Sequence, residues 1–322
     1  MKVLFVPNTA VLGELTGPQR EQIRATAGAD SEVVTAQNLA EQIAQARDSD
    51  FVFGELAPEA FAVTQRLQWV QGLGAGGGRM LYPAFRDSPI PLASNKGQVG
   101  EQIAEHAFGL LLALSRGIAA AARRRSWHDN PRAYRKHMWE LTGLTMGILG
   151  FGGIGRAVAR RAEAFGMSIV AVNPSAVASP PYGAEIWGTD RFADLLAVSD
   201  VLTICCPLTP ATEGLFDQAA FRQMKPSAVL INVSRGQITV EDALVAALEQ
   251  GVIRGAGLDV SPREPLPPDS PLWTMDNVVI TSHTAGASQY TGERALTRFC
   301  ANLRHWQHGE TLEGVIDKHK GY

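Results

Sequence analysis

Residues 145–164 read TMGILGFGGIGRAVARRAEA: a short apolar run, then Gly150-Phe151-Gly152-Gly153-Ile154-Gly155, then a stretch with apolar positions at helical spacing. As a bare pattern GxGxxG is weak, but between a strand and a helix each glycine has a task. Gly150 permits a tight turn, Gly152 lets the backbone approach a pyrophosphate, and Gly155 allows close packing of helix on strand. Free N–H groups and the positive end of the dipole at the helix start then face the phosphates. The stretch therefore predicts a dinucleotide-binding unit of an α/β fold.

Downstream the alternation continues. Strands are predicted at Thr145–Leu149, Ser168–Val172, Val201–Cys205, Ala228–Val233, Gly255–Leu258 and Val278–Thr281, with helices at Ile154–Ala164, Arg191–Ala197, Gln218–Gln223 and Val240–Gln250. Six strands with helical crossovers is the pattern of a doubly wound parallel sheet. Upstream, a second alternation places strands at Lys2–Val6, Glu32–Thr35, Phe51–Gly54 and Trp69–Gly72, with helices at Gln19–Ala27, Leu39–Arg47 and Pro58–Leu67. The segment Ser88 to Gly97, rich in Pro, Ser, Asn and Gly, reads as a boundary, followed by a long helix from Gly100 to about Arg116. A last helix, Gly292 to His308, has no further strand to pair with and is expected to pack back on the first domain. The expected division is thus discontinuous, with a flavodoxin-like substrate domain over 1–98 and 288–322 and a Rossmann domain over 99–287. A cleft between the two is the expected place for the chemistry.

Length and composition agree with two globular domains: 322 residues, 45% hydrophobic and 19% charged, with a net charge of −3. That balance gives no reason to expect nucleic acid, and Arg123-Arg124-Arg125 reads as a solvated face. Cys205, Cys206 and Cys300 are too few for a disulfide framework, which fits a reducing, cytoplasmic compartment. The apolar start Val3-Leu4-Phe5-Val6 is too short for a signal segment, and no run approaches a membrane span. No metal is expected.

Three loops after successive strands carry charged or titratable side chains: Arg235 after the fourth, Glu264 after the fifth and His283 after the sixth. In an open parallel sheet ligands bind outside the C-terminal strand ends, so the three could converge. Hydride transfer to or from a carbon bearing oxygen suits them. His283 would move the proton, Glu264 would fix the ring tautomer, and Arg235 would grip a carboxylate beside the reacting carbonyl. Taken singly, each is more often a packed or surface residue; their joint placement favours the site. His106, beside Glu105 on the long helix, reads as a structural hydrogen-bonding residue, and Cys206 reads as a pocket wall.

Over nearly its whole length the sequence resembles the D-isomer-specific 2-hydroxyacid dehydrogenases. The likeness runs through Gly74-Ala75-Gly76-Gly77, Ser94-Asn95 to Gly97, Ile103-Ala104-Glu105-His106, Glu140 to Gly143, the Gly150–Gly155 loop, Asp200 to Pro207, Met224-Lys225-Pro226, Asn232 to Gly236, Leu258-Asp259-Val260, Glu264 to Pro267 and His283. The resemblance implies Arg235, Glu264 and His283 as the catalytic trio and a substrate carboxylate held by the backbone of Gly76 and Gly77. It also implies a nicotinamide carboxamide met by Asp259, a nicotinamide pocket lined by Cys206 and Pro207, and a homodimer built on the long helix.

The chain departs from that family in four places. Gly78 and then Arg79 stand where an acidic residue is common, and Ser282 replaces the proline before the catalytic histidine. Asn173 replaces the acidic ribose ligand, with no Arg or Lys in the next several residues, so the choice between NAD and NADP is open. Met138-Trp139 stand where some relatives send an aromatic residue into the neighbouring subunit's pocket, core packing being the alternative. The expected activity is reduction of a small 2-ketoacid such as glyoxylate or hydroxypyruvate. One rival is a dinucleotide-sensing regulator of the same fold, whose extra peptide-binding and unstructured tails are not expected in a chain ending at Tyr322. The other is a formate-dehydrogenase-like enzyme, which would carry Gln at the position of Glu264.

Overall fold

The computed structural model describes residues 1–124 and 138–321. In chain order its strands are β1 (Lys2–Phe5), β2 (Glu32–Thr35), β3 (Phe51–Phe53), β4 (Trp69–Gln71), β5 (Leu92–Ala93), β6 (Thr145–Leu149), β7 (Ser168–Val172), β8 (Glu185–Trp187), β9 (Val201–Ile204), β10 (Val229–Asn232), β11 (Gly255–Leu258) and β12 (Val278–Ile280). The α-helices are α1 (Gly17–Ala27), α2 (Leu39–Ala46), α3 (Pro58–Phe61), α4 (Pro83–Arg86), α5 (Gly100–Ser115), α6 (Ile118–Arg124), α7 (Gly153–Ala164), α8 (Phe192–Val198), α9 (Gln218–Gln223), α10 (Glu241–Glu249) and α11 (Thr291–Gln307). They form two compact units, one of Met1–Val99 with Ala287–Tyr322, the other of Gly100–Gly286.

In the first unit the sheet order is β2-β1-β3-β4-β5, every pair parallel. Period-two alternation buries both faces. Val3, Phe5, Phe51, Phe53 and Trp69 meet Ile23 of α1 and Leu296, Phe299 and Leu303 of α11. Leu4, Val52 and Val70 face the other way, toward Ala46, Ala60 and Phe85. The Phe53 and Phe299 rings stack at 4.6 Å. Helix α1 starts at a capping box, in which the Thr16 hydroxyl accepts from Gln19 N and the Gln19 side chain accepts from Thr16 N.

The second unit has a seven-stranded parallel sheet, β12-β11-β10-β9-β6-β7-β8. The chain winds outward from β6 through β7 to β8, then crosses to β9 on the other side of β6, which puts the switch point between β6 and β9. Leu195, Leu196, Phe221, Leu244 and Leu248 of α8, α9 and α10 cover one face. On the other, α5 lies along α7 and across β10, β11 and β12. That approach needs Gly257, where a Cβ would sit 2.8 Å from the Leu110 Cβ.

Four sequence expectations are corrected. The sheet has seven strands rather than six, because β8 adds to the free edge of β7. The first unit has a fifth strand, β5, inside the stretch read as a boundary. Helix α3 stops at Phe61, where the Thr64 hydroxyl takes the Phe61 carbonyl. Arg123 is not simply solvated: its Nη2 donates to the Val278 carbonyl at 2.7 Å, on edge strand β12. The Arg124 side chain and Arg125 lie outside the described residues.

Candidate functional site

At the switch point, Gly150 turns the chain with φ +97°, and a Cβ there would lie 2.7 Å from Cys206 N. Only glycine fits both the conformation and the gap. Gly155 packs its α-carbon under the same turn, where a Cβ would come within 2.2 Å of the Gly150 carbonyl oxygen. Gly152 is different: nothing lies within 4 Å of the position its Cβ would take, and it is exposed. It is also the N-cap of α7, with no side-chain cap and no acidic residue in the first turn. The helix start, with Gly153 exposed and Ile154 half-buried, thus offers uncapped N–H groups to an anion. These features fit a dinucleotide pyrophosphate.

Asn173 closes the loop from the side. Its Oδ1 accepts from Phe151 N at 3.0 Å and its Nδ2 donates to the Ser175 carbonyl at 2.8 Å. The amide therefore shapes the glycine loop and carries no charge toward a ribose 2′ position. Across the switch point Cys206 is buried, its carbonyl accepts the Ser234 hydroxyl, and burial pushes its thiol up to about 12. A thiol so raised stays protonated near neutrality and makes a wall rather than a nucleophile. Pro207 beside it is exposed.

Strands β10, β11 and β12 end in register, Asn232 opposite Leu258 and Leu258 opposite Ile280. Arg235, Glu264 and His283 therefore leave the sheet at one end. Asn232, 1% exposed, organises the first loop by accepting from Ser234 N and donating to the Arg235 carbonyl. Arg235 itself is exposed. The next residue ties this loop to the second, since a Cβ on Gly236 would lie 1.9 Å from the carbonyl carbon of Ser261. Glu264 then spans the second and third loops. Its Oε1 accepts from Ser261 N at 3.2 Å, and its Oε2 lies 2.8 Å from His283 Nδ1. Toward an ionised carboxylate that ring nitrogen is the donor, which leaves Nε2 free for chemistry.

His283 has φ +53°, a left-handed conformation unusual for a residue with a side chain. Asp259 holds it there. The Asp259 carbonyl accepts from His283 N at 2.7 Å, while Oδ1 accepts from the Thr281 hydroxyl at 2.6 Å and Thr284 N at 2.9 Å, and Oδ2 from Ala285 N at 2.8 Å. Both oxygens of the residue expected at a nicotinamide carboxamide are thus taken by the loop that carries His283. His106 of α5 joins the cluster, its Nε2 2.7 Å from Thr281 Oγ1, whereas its neighbour Glu105 pairs with Arg161 of α7. The sequence shows these residues only singly, and their union is not legible there, because His106 and Thr281 stand 175 residues apart.

In the first unit, Gly76 and Gly77 follow β4, half-buried and buried respectively, with Gly77 capping a short 3₁₀ turn over Gly78–Met80. Trp139 is half-buried under the Arg254 guanidinium at 4.7 Å. Among the described residues no group of three or more His, Cys, Asp or Glu could hold a metal ion, and no helix is long and apolar enough to cross a membrane.

A doubly wound sheet with an open glycine loop at its switch point, and a histidine–carboxylate pair at its strand ends, defines a nicotinamide-dependent dehydrogenase. Residues 108–285 match the family model for the NAD binding domain of D-isomer specific 2-hydroxyacid dehydrogenases, and the chain belongs to that family. It is 35% identical to an uncharacterised protein of Corynebacterium melassecola, over 88% of this chain and 93% of that one. It is 33% identical to a glyoxylate reductase of Korarchaeum cryptofilum, over 81% of this chain and 79% of the relative. Among solved structures, the NADPH-dependent glyoxylate/hydroxypyruvate reductase of Sinorhizobium meliloti, in complex with NADP and sulfate, matches with a TM-score of 0.81 and 28% identity over 100% of both chains. The protein is an NAD(P)-dependent oxidoreductase acting on the CH–OH group of 2-hydroxyacids.

Proposed function

We propose that the protein works as a reductase of small 2-ketoacids, of the size of glyoxylate or hydroxypyruvate, forming the D-2-hydroxyacid. The observation that carries this reading is the 2.8 Å contact of His283 with Glu264 at the same sheet end as Arg235. Bound nicotinamide dinucleotide supplies the hydride to C2. His283 gives the Nε2 proton to the forming alkoxide, and Glu264 keeps Nδ1 protonated and faces the ring's charge. Arg235 grips the carboxylate and polarises the neighbouring carbonyl. On this reading the backbone N–H groups of Gly76 and Gly77 bind substrate, with residues 1–98 and 288–322 as the substrate domain and 99–287 as the cofactor domain. Cys206 and Pro207 wall the nicotinamide.

With an uncharged Asn173 after β7, and no Arg or Lys among the next several residues, that strand end neither repels nor grips a 2′-phosphate, and both NADH and NADPH are accepted. A cytoplasmic homodimer built on α5, as the family resemblance implies, completes the reading. The test is a panel of 2-ketoacids assayed with NADH and NADPH in parallel by loss of absorbance. Turnover of short 2-ketoacids is expected with both. Failure of every ketoacid, while dinucleotide still binds, overturns the reading in favour of a dinucleotide sensor.

A further inference from the structure

We propose that His106 is a positioning residue for the reaction, acting through Thr281 and Asp259 on the loop that carries His283. This rests on the assignment of His283 as the proton donor.

Hydrogen-bond arithmetic fixes the direction of the chain of contacts. Thr281 has one hydroxyl proton and two close partners, His106 Nε2 at 2.7 Å and Asp259 Oδ1 at 2.6 Å. An ionised carboxylate only accepts, so the proton goes to Asp259 and the hydroxyl oxygen must accept from His106. His106 therefore carries hydrogen on Nε2, which also points at Asp259 Oδ1, 3.3 Å away. Asp259 is 2% exposed and has four donors on its two carboxylate oxygens, counting His106. A buried carboxylate with that many directed partners has one orientation, and every partner is needed to hold it.

The far end of the cluster is the reacting group. Asp259 accepts from the backbone N–H groups of His283, Thr284 and Ala285, three successive residues of the loop, the first of them left-handed. Taking away the Nε2 donor leaves the Thr281 hydroxyl free to rotate and one lone pair of Asp259 unmet. The loop then relaxes from its strained conformation, and Nε2 of His283 loses its aim, while the glycine loop after β6, braced by Asn173 and not by the Asp259 cluster, keeps its shape.

The test compares His106→Leu, which removes the donor, with His106→Gln, whose amide nitrogen can stand where Nε2 stands. Expected for His106→Leu is a fall in kcat for ketoacid reduction of about 10- to 100-fold with dinucleotide Kd within about twofold, since an ångström of misplacement costs up to two decades. His106→Gln is expected to recover most of that loss. Thr281→Val, which carries the test if His106→Leu does not fold, should fall alike, and the double variant should be no worse than the worse single. An unchanged kcat in His106→Leu, equal losses in the Leu and Gln variants, or multiplicative effects in the double overturns the proposal. His283→Asn separates the two levels. If its turnover is normal, the assignment of His283 itself fails; if it collapses while His106→Leu is silent, only the role of His106 does.

Discussion

His283 Nδ1 lies 2.8 Å from Glu264 Oε2, and the same carboxylate accepts Ser261 N with its other oxygen. The pair is thus held from both sides, by the loop after β11 and the loop after β12. His283→Asn is expected to lower kcat by about 10²–10⁴-fold, the usual worth of a positioned acid–base group, with dinucleotide Kd unchanged. Glu264→Gln keeps an acceptor but loses the charge facing the ring, and should fall by a smaller factor. Stopped-flow reduction at saturating cofactor measures both, and normal turnover in His283→Asn removes it from the mechanism.

Much of this was legible in advance because it is local. The glycine loop announces its own strand and helix, and the polar residues Arg235, Glu264 and His283 follow apolar runs closely. What escaped is either too short or too distant. Strand β8 is three residues with no apolar run, an edge strand none of whose residues is fully buried. Strand β5 is two residues between prolines and an Asn-Gly-rich turn, and forms only because β4 offers an open edge. The longer helix expected after Pro58 ends early because β-branched Val63 and Thr64 disfavour its continuation and the Thr64 hydroxyl competes for its carbonyl. The Asp259 cluster draws on a helix and two loops far apart in sequence, and no spacing rule joins them.

Gly152 and Gly155 belong to one motif yet should fail in opposite ways. A methyl group on Gly155 would strike the Gly150 carbonyl at 2.2 Å, whereas one on Gly152 meets no protein atom within 4 Å. Gly155→Ala is therefore expected to lose about 1–3 kcal/mol of stability through overpacking, seen as a lower Tm. Gly152→Ala should keep its Tm and bind NADH and NADPH at least tenfold more weakly in a fluorescence titration. Equal behaviour of the two would mean that Gly152 does not face the cofactor.

Gly236 couples the Arg235 loop to the Glu264 loop, with room for no side chain against Ser261. Gly236→Ala must push Ser261 and Pro262 away, and with them the N–H that fixes Glu264. We expect a loss of about 1–3 kcal/mol in denaturant unfolding and a kcat reduced by at least tenfold, KM for ketoacid rising as Arg235 shifts. A variant with lower stability but normal kcat would show that the two loops act independently.

Glu101 at the start of α5 is contacted by Arg160 and Arg161 of α7, the helix that begins at the glycine loop. Partial burial pushes its carboxyl up, but the two guanidinium groups outweigh that and hold it below the usual value of 4.5. With the folded value depressed, the unfolded chain binds the proton first as pH falls. The stabilisation is thus fully present above about pH 4.5 and is lost as pH drops through the folded value. The side chain is 46% exposed, so solvent screening limits the effect to less than about 1 kcal/mol. Glu101→Gln should accordingly lower Tm by a degree or two at pH 7 and low salt, and the difference from the parent should shrink in high salt and vanish toward pH 3. A Tm difference that persists unchanged at pH 3 would assign the contribution of Glu101 to packing rather than to its charge.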